Sequence, residues 1–361
     1  MNRNANSQSA GQMIGLINGQ QVVGLDIAKS VFQLHSVDMG TGEIVNMQLK
    51  RAKVLEYFAN HQPCLIGIEA CGGAHHWARE LQALGHSVQL IHAKAVRPFV
   101  SGNKTDATDA RAIWLAVQQP GTKFVGIKSE EQQATLVLHR QRELLMKMRV
   151  MQTNALRGLL YEFGATFGRG KNALFSEIEA ALETLLAKNS LPQYVADSLR
   201  EQVGRIKALD QDIKSIEQRL QERLKSNAQM KRIAHIPGVG LLTATAAIAT
   251  MGEASAFKSG REFCAWLGLV PRQSGTGGKV KLLGISKRGD TYLRTLLIHG
   301  ARSVLSHSKE PVPWLEQLQQ RRPTNVVIVA QAAKMARTIW AVTAKEQNYQ
   351  RGYQSTRPQT A

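Results

Sequence analysis

Residues 21–50, QVVGLDIAKSVFQLHSVDMGTGEIVNMQLK, decide the amino-terminal fold. Residues 21–28 are mostly apolar around Asp26 and read as a short buried strand that ends on that acid. In VFQLHSVD and EIVNMQLK, apolar and polar residues alternate around a glycine-containing turn at Met39–Gly42, the pattern of a hairpin. Further along, a helical stretch over Val54–Asn60 leads to CLIGIEA, a second buried-type strand ending at Glu69. After Gly72 and Gly73 the sequence predicts a helix near His75–Leu84 and a strand at SVQLIH. A helix over Asp106–Val117 follows, with Ala110, Ile113, Trp114 and Val117 on one face. Strand, hairpin, helix, strand, helix, strand, helix describes an α/β domain whose acids fall at strand ends or on a helix.

From about Ser129 to Gly164 the chain reads as one long helix. In a second helical stretch Ile206, Leu209, Ile213, Ile216 and Leu220 step by three and four, a two-heptad coiled-coil seam. Two such helices predict an antiparallel arm or a dimerising stalk. From about Lys231 to Ala344 the chain is glycine-rich at its turns and helical elsewhere, and the tail after Glu346 is polar. The expected division is a tail at 1–20, an α/β domain at 21–128, a helical arm at 129–230, a mainly helical domain at 231–345 and a tail at 346–361.

Composition narrows the partners. Of 361 residues 43% are hydrophobic and 20% charged, which excludes a disordered chain. Three cysteines without CxxC or Cys/His spacing argue against a disulfide framework or a structural zinc, and fit a reducing cytoplasm. No secretion signal is evident in the first twenty residues. The segment Ile233–Gly252 lacks acidic and basic residues, but Pro237, Gly238, Gly240 and three threonines argue against a membrane span. The formal net charge is +19, so a polyanion is the expected partner. From Gln21 to Arg111 nine Lys/Arg face eight Asp/Glu, whereas from Phe257 to Lys309 ten face two. The near-neutral half is expected to handle metal and the basic half phosphate.

Within that near-neutral half stand Asp26, Glu69, Asp106 and Asp109. Carboxylates in a chain that attracts phosphates are accounted for by divalent cations, which take oxygen ligands and bridge to phosphoryl groups. Asp106 and Asp109 lie three apart and share a helix face, and Thr105–Asp106 suits a helix start. The alternative for these acids is plain: Asp106 a helix cap, Asp109 a dipole partner, Asp26 a loop acid.

GLDIAK, IEACGGA and NKTDATDA, followed in order by IPGVG, GLVPRQSG and SKRGDTYLR, resemble the transposases of the insertion sequence 110 and 1111 families, relatives of the Piv-type DNA invertases. The resemblance runs from about residue 21 to 344. It implies a RuvC-like amino domain of RNase H fold whose DEDD acids are Asp26, Glu69, Asp106 and Asp109, binding magnesium, with manganese as a possible substitute. It also implies that Ser274, which the residues alone make a serine in a glycine-rich turn, is a nucleophile held to DNA as phosphoserine. Ser286 is expected to touch backbone phosphate. A guide RNA from the element's noncoding end is implied as a partner beside the element ends and target DNA. From the residues themselves, a homodimer or homotetramer is expected, because one serine lies far in sequence from the acids.

Expected nucleic-acid contacts are Arg140, Arg142, Lys147 and Arg149 on the basic arm at His139–Arg157, and Arg272, Lys279, Lys281, Lys287, Arg288 and Arg294 near the serine. Gly238 and Gly240 of IPGVG would present backbone N–H groups to phosphate, as in helix-hairpin-helix modules. His75, His76 and Trp77 are expected to pack in the core or touch substrate. Two competing readings remain open: a RuvC-like junction nuclease in which the acids alone activate water, and a non-enzymatic nucleic-acid-binding protein.

Overall fold

The computed structural model describes residues 16–17, 20–38, 40–103, 105–308 and 312–353. Met39 of the expected hairpin turn, Lys104 and parts of both expected tails lie outside the described residues. The chain divides into two compact units, Met1–Glu130 and Glu131–Ala361.

The first unit contains, in order, β1 (Leu16–Ile17), β2 (Gln20–Asp26), β3 (Val31–Val37), β4 (Ile44–Lys50), α1 (Val54–Ala59), β5 (Leu65–Glu69), α2 (Ala74–Ala83), β6 (Ser87–Ile91), α3 (Ala93–Val96), α4 (Asp106–Gln118) and β7 (Phe124–Val125). The sheet order is β4-β3-β2-β5-β6-β7, with β1 paired to β2. The β2–β3 and β3–β4 pairs are antiparallel, as the alternating pattern requires, while β2–β5 and β5–β6 are parallel. This mixed sheet is consistent with an RNase H-like domain. Because Leu16 pairs with Gln21, strand pairing begins inside the segment expected to be a tail.

Local chemistry fixes the elements. At the β3–β4 turn the Asp38 carboxylate accepts N–H bonds from Gly40 and Thr41 at 2.8 and 2.9 Å. On one side of the sheet Phe32, Leu34, Phe58, Trp77 and Leu81 form a core with α1 and α2. On the other, Ile113, Trp114 and Val117 of α4 pack with Val22. Two strand glycines allow α4 to lie so close. A Cβ on Gly24 would stand 2.2 Å from the Ala110 carbonyl oxygen, and one on Gly67 3.0 Å from the Val117 Cβ.

The second unit contains α5 (Glu130–Tyr161), α6 (Lys171–Ala187), α7 (Gln193–Ser226), α8 (Ala228–Ala234), α9 (Leu241–Met251), α10 (Gly260–Trp266), β8 (Pro271–Thr276), β9 (Lys279–Ile285), α11 (Thr291–His307), α12 (Pro313–Arg321) and α13 (Thr324–Ala344). Helices α5 and α7 run antiparallel, since partners on α7 descend as those on α5 rise. Glu131 pairs with Arg223, Arg142 with Glu217 at 2.7 Å and Arg149 with Asp210 at 2.8 Å. Ile206, Ile213, Ile216 and Leu220 of the expected seam are buried.

Helix α6 lies between the two helices expected for the arm. It closes a separate apolar cluster in which Leu174, Ile178 and Leu182 meet Leu156, Leu160 and Leu199. The uncharged Ile233–Gly252 segment splits into the end of α8, a turn and the buried α9, so it forms core and not a span. Helix α13 is long and apolar enough to cross a membrane by length and composition. Its Ile328, Ala332, Met335 and Ile339, however, pack with Leu293 and Leu297 of α11 in the unit's main core.

Candidate active site

Asp26 and Glu69 end two neighbouring parallel strands. Leu25 pairs with Ile68, so the next residue on each strand carries its acid at the same edge of the sheet. Both carboxylates act on one neighbour: the Cys71 thiol is pushed up by desolvation, then by the charges of Glu69 and Asp26. Helix α4 points its start toward that edge. Its Trp114 Nε1 donates to the Val22 carbonyl at 3.1 Å, and the Ala110 carbonyl lies over Gly24. Moving from Trp114 back to Asp106 therefore follows β2 from Val22 to Asp26. Thr105 caps the helix: its hydroxyl accepts from the Thr108 N–H, and Thr108 reciprocates. Asp106 is thus the first helical residue and not the cap.

The four acids share one end of the first unit, with Asp26, Glu69 and Asp109 half-buried and Asp106 exposed. Among the described residues no three His, Cys, Asp or Glu side chains are gathered closely enough to hold a metal ion. The donor set is nonetheless the hard-oxygen kind that magnesium and manganese prefer. The nearby aromatic and histidines have partners of their own. Trp77 packs edge-on to Phe32 beneath the Arg51 guanidinium, His75 Nδ1 accepts from the Lys128 N–H, and His76 pairs with Glu80.

Ser274 does not sit in a turn. It lies within β8, and the turn comes later at Gly277–Gly278, whose φ values of 57° and 78° suit a two-residue primed hairpin turn. In the register of the hairpin Ser274 faces Lys281 and Thr276 faces Lys279. Both strands are exposed almost throughout, Arg272 included. A register shift between Pro271 and Gln273 sets Leu283 and Gly284 of β9 opposite the single residue Arg272, a bulge on β9.

The base of this hairpin is clamped. Gly268 and Gly289 have positive φ, and a Cβ on Gly289 would stand 1.9 Å from the Trp266 carbonyl oxygen. Arg294 ties the clamp: its guanidinium donates to the carbonyls of Leu267 at 2.9 Å and Arg288 at 2.8 Å. Only 7% of Arg294 is exposed, so its role is to hold loop carbonyls and the expected phosphate contact is corrected. The Ser286 hydroxyl is likewise buried, while Lys287 and Arg288 are exposed.

Other expected contacts divide in the same way. Gly238, at φ 83°, packs against the Gly300 backbone of α11, a close approach that explains the glycine without phosphate. Gly240 is exposed at the start of α9. On the arm Arg140 is exposed, and Lys147 pairs with Glu143 on its own helix at 3.3 Å. Arg142 and Arg149 instead bind α7 acids, with side-chain exposures of 16% and 23%. Asp210 also meets Lys171 at 2.5 Å. Burial raises its carboxyl, yet Lys171 and Arg149 prevail and hold it below the usual range.

His139, read as the start of a basic surface, is buried at 2% exposure. The Thr245 hydroxyl donates to the Leu241 carbonyl, so it accepts from His139 Nε2–H at 2.9 Å. Nδ1 is then left to accept from the Tyr292 hydroxyl, also at 2.9 Å. Desolvation, followed by the Arg142 charge, lowers this imidazole to about 4. Nothing in the linear pattern marks it out, because its partners lie more than a hundred residues away.

An α/β unit with acids at parallel strand ends, followed by a helical unit carrying a basic hairpin, is the organisation of a DNA-processing enzyme, and the comparisons agree. A transposase model of the insertion sequence 110 DEDD type matches residues 23–164, and one described as "Transposase IS116/IS110/IS902 family" matches residues 230–314. A "Probable family 20 transposase" of Pseudomonas aeruginosa is 45% identical over 335 residues, covering 91% of this chain and 98% of that protein. The "Transposase for insertion sequence element IS1111A" of Coxiella burnetii is 38% identical, with 92% of each chain covered. The chain belongs to the insertion sequence 110/1111 transposase family.

Proposed function

We propose that this transposase is a site-specific recombinase that cuts and rejoins the ends of its own insertion sequence and a target DNA, working in the cytoplasm. The observation that carries the reading is the pairing of Leu25 with Ile68, which sets Asp26 and Glu69 side by side at the edge approached by the start of α4. That strand order supports a RuvC-like domain of RNase H fold. Asp26, Glu69, Asp106 and Asp109 would hold magnesium, with manganese a workable substitute. A divalent cation there supplies Lewis-acid stabilisation of charge on phosphoryl oxygens.

Ser274 is the nucleophile in this reading. It stands on an exposed hairpin beside Arg272, Lys279 and Lys281, so a DNA strand can reach it and find cations to neutralise its phosphates. Lys287, Arg288 and the backbone at Gly240 extend that surface. The guide RNA is assigned to the arm, whose outward cations include Arg140 and Lys147. The α5–α7 pair packs as a short antiparallel coiled coil, and a homodimer or homotetramer is the working assembly, with one subunit's acids serving another's serine.

The test incubates the full-length protein with duplexes spanning the element end and a target, the flanking transcript and magnesium, followed by denaturing trapping of protein-linked strand. Wild type is expected to yield the adduct, Ser274→Ala none, and Asp26→Ala none despite unimpaired DNA binding. Strand cleavage that persists in Ser274→Ala but is lost in Asp26→Ala would replace this reading with a nuclease whose acids activate water. Normal recombination by Asp26→Ala would remove the metal site.

A further inference from the structure

The serine hairpin has two chemically different faces although both are exposed. Cross-strand partners point to the same side, and side chains alternate along each strand. The pairs Ser274–Lys281 and Thr276–Lys279 therefore share one face, and Gln273–Leu282 and Gly275–Val280 share the other. Two hydroxyls and two ammonium groups thus stand on one side, with Val280 and Leu282 on the opposite side, 65% and 63% exposed. Lysines that merely protect an exposed edge have no reason to pair with hydroxyls on a single face. The two pairs are two residues apart, about 6.8 Å along the strand. That interval is comparable to the step between successive phosphates of a nucleic-acid strand.

Resting on the reading of Ser274 as nucleophile, we propose that Lys281 is a second catalytic residue. Its ammonium contacts a non-bridging oxygen of the phosphate that Ser274 attacks, while Thr276 and Lys279 hold the adjacent phosphate of the same strand. Directly opposed residues have Cβ atoms about 4.5–5.5 Å apart, within the reach of a lysine stem. In the step itself the Oγ–P bond forms as the bond from phosphorus to the leaving sugar oxygen breaks. The proton lost by Oγ passes to water, and the sugar oxygen takes one from water. An ammonium group has three donors and no acceptor, so Lys281 is not the base. It stabilises the extra negative charge on the phosphoryl oxygens, which is greatest in the transition state and so affects rate more than binding. Lys279, one pair nearer the turn, acts mainly on binding.

The experiment measures adduct formation by full-length protein at saturating element-end duplex with its flanking transcript, beside binding across a salt series. For Lys281→Gln the adduct rate at saturating duplex is expected to fall about 10²-fold or more with affinity lowered no further than in Lys279→Gln, and Lys281→Arg to restore part of the rate. Lys279→Gln is expected to weaken binding and reduce the salt slope by about 1, with any loss of adduct formation recovered by raising the duplex concentration. A sulfur at the scissile non-bridging position should slow wild type but cost Lys281→Gln little further. All four residues are exposed, so thermal melting should match wild type in every variant. A Lys281→Gln adduct rate within about 3-fold of wild type, or an equal loss in Lys279→Gln, overturns the proposal. Cleavage by wild type without any adduct overturns the serine reading and this proposal together. An adduct that depends on Ser274 but not on Lys281 overturns this proposal alone.

Discussion

The two candidate sites, the acids of the first unit and the serine of the second, are built in opposite ways. The acids stand on the most constrained part of the first unit, at the ends of β2 and β5, which are buried along most of their length and pressed against α4 through Gly24 and Gly67. The serine stands on a two-stranded ribbon whose residues are nearly all exposed and which is fixed at its base. A carboxylate site must hold several ligands to a fraction of an ångström, so it gains from strands that cannot shift. A nucleophile that must meet a DNA strand gains from access. Scaffold and access are thus assigned to separate units, and glycine serves both: in β2 it permits close packing, and in the hairpin it permits a tight turn.

The most disruptive test of this contrast is Gly24→Val. The added side chain would meet backbone at 2.2 and 2.6 Å, from the Ala110 carbonyl oxygen and the Trp114 nitrogen, and neither can rotate away. Overpacking commonly costs about 1–3 kcal/mol, and a clash with helix backbone belongs at or above the top of that range. Chemical denaturation should show the first unit destabilised by about 3 kcal/mol or more, with recombination lost. A variant of wild-type stability would mean that α4 is not seated on β2 as described.

Arg294→Leu probes the hairpin's anchor. It leaves the Leu267 and Arg288 carbonyls without their donor and should cost about 2–4 kcal/mol, since bonds to charged groups contribute about 1.5–3 kcal/mol each. The second unit should melt earlier, while the stability of the first is unchanged. An unaltered melt would show that the clamp is dispensable.

A pH titration probes the helical core of the second unit. The His139 imidazole is held at about 4 when folded, against an ordinary value of 6.5. Below pH 6.5 the unfolded chain therefore binds a proton that the folded chain refuses. Stability should decline as pH falls from 6.5 toward 4 and be independent of this residue above 6.5. His139→Leu should lower stability at neutral pH and flatten that slope. A slope unchanged in the variant would assign the pH dependence elsewhere. Asp210 acts lower still: its carboxyl is depressed, so its pairing with Lys171 and Arg149 is present near neutrality and lost as pH falls through its folded value.

How much of this was legible in the sequence depended on whether a residue's neighbours were local or a pattern betrayed them. The strands ending at Asp26 and Glu69 were legible because burial on both faces leaves an apolar run, and the helix from Asp106 because its apolar residues recur at helical spacing. That β2 and β5 end side by side follows from their parallel pairing, a consequence of the fold. Ile206, Ile213, Ile216 and Leu220 of the α7 pattern are buried, but Arg142 and Arg149 look like free cations in the sequence because the acids that bind them lie more than sixty residues away. Arg294 misled for the same reason: a charge on an amphipathic helix resembles a surface charge unless the carbonyls it reaches are known. The β8–β9 hairpin escaped because neither face is buried, so no apolar alternation survived as a core signature. One signal was present: Gly277–Gly278 between two short polar-rich runs is a two-residue hairpin loop.

That loop gives the mildest and most discriminating comparison. Gly277→Val places a β-branched residue at φ 57°, where a side chain costs about 1–2 kcal/mol, but nothing lies within 4 Å of the new Cβ. The strain is confined to the tip of a ribbon that contributes little to the unit's core. Global stability should therefore change by no more than about 0.5 kcal/mol, in contrast to Gly24→Val. Because the turn sets the register, the Ser274–Lys281 and Thr276–Lys279 pairs should loosen, and hydrogen exchange should rise across 271–285 alone. Adduct formation should fall while DNA binding persists, if Arg272, Lys287 and Arg288 carry it as proposed. If Gly277→Val instead lowered global stability as far as Gly24→Val does, the ribbon would be an integral part of the second unit's core, and the separation of scaffold from access would not hold.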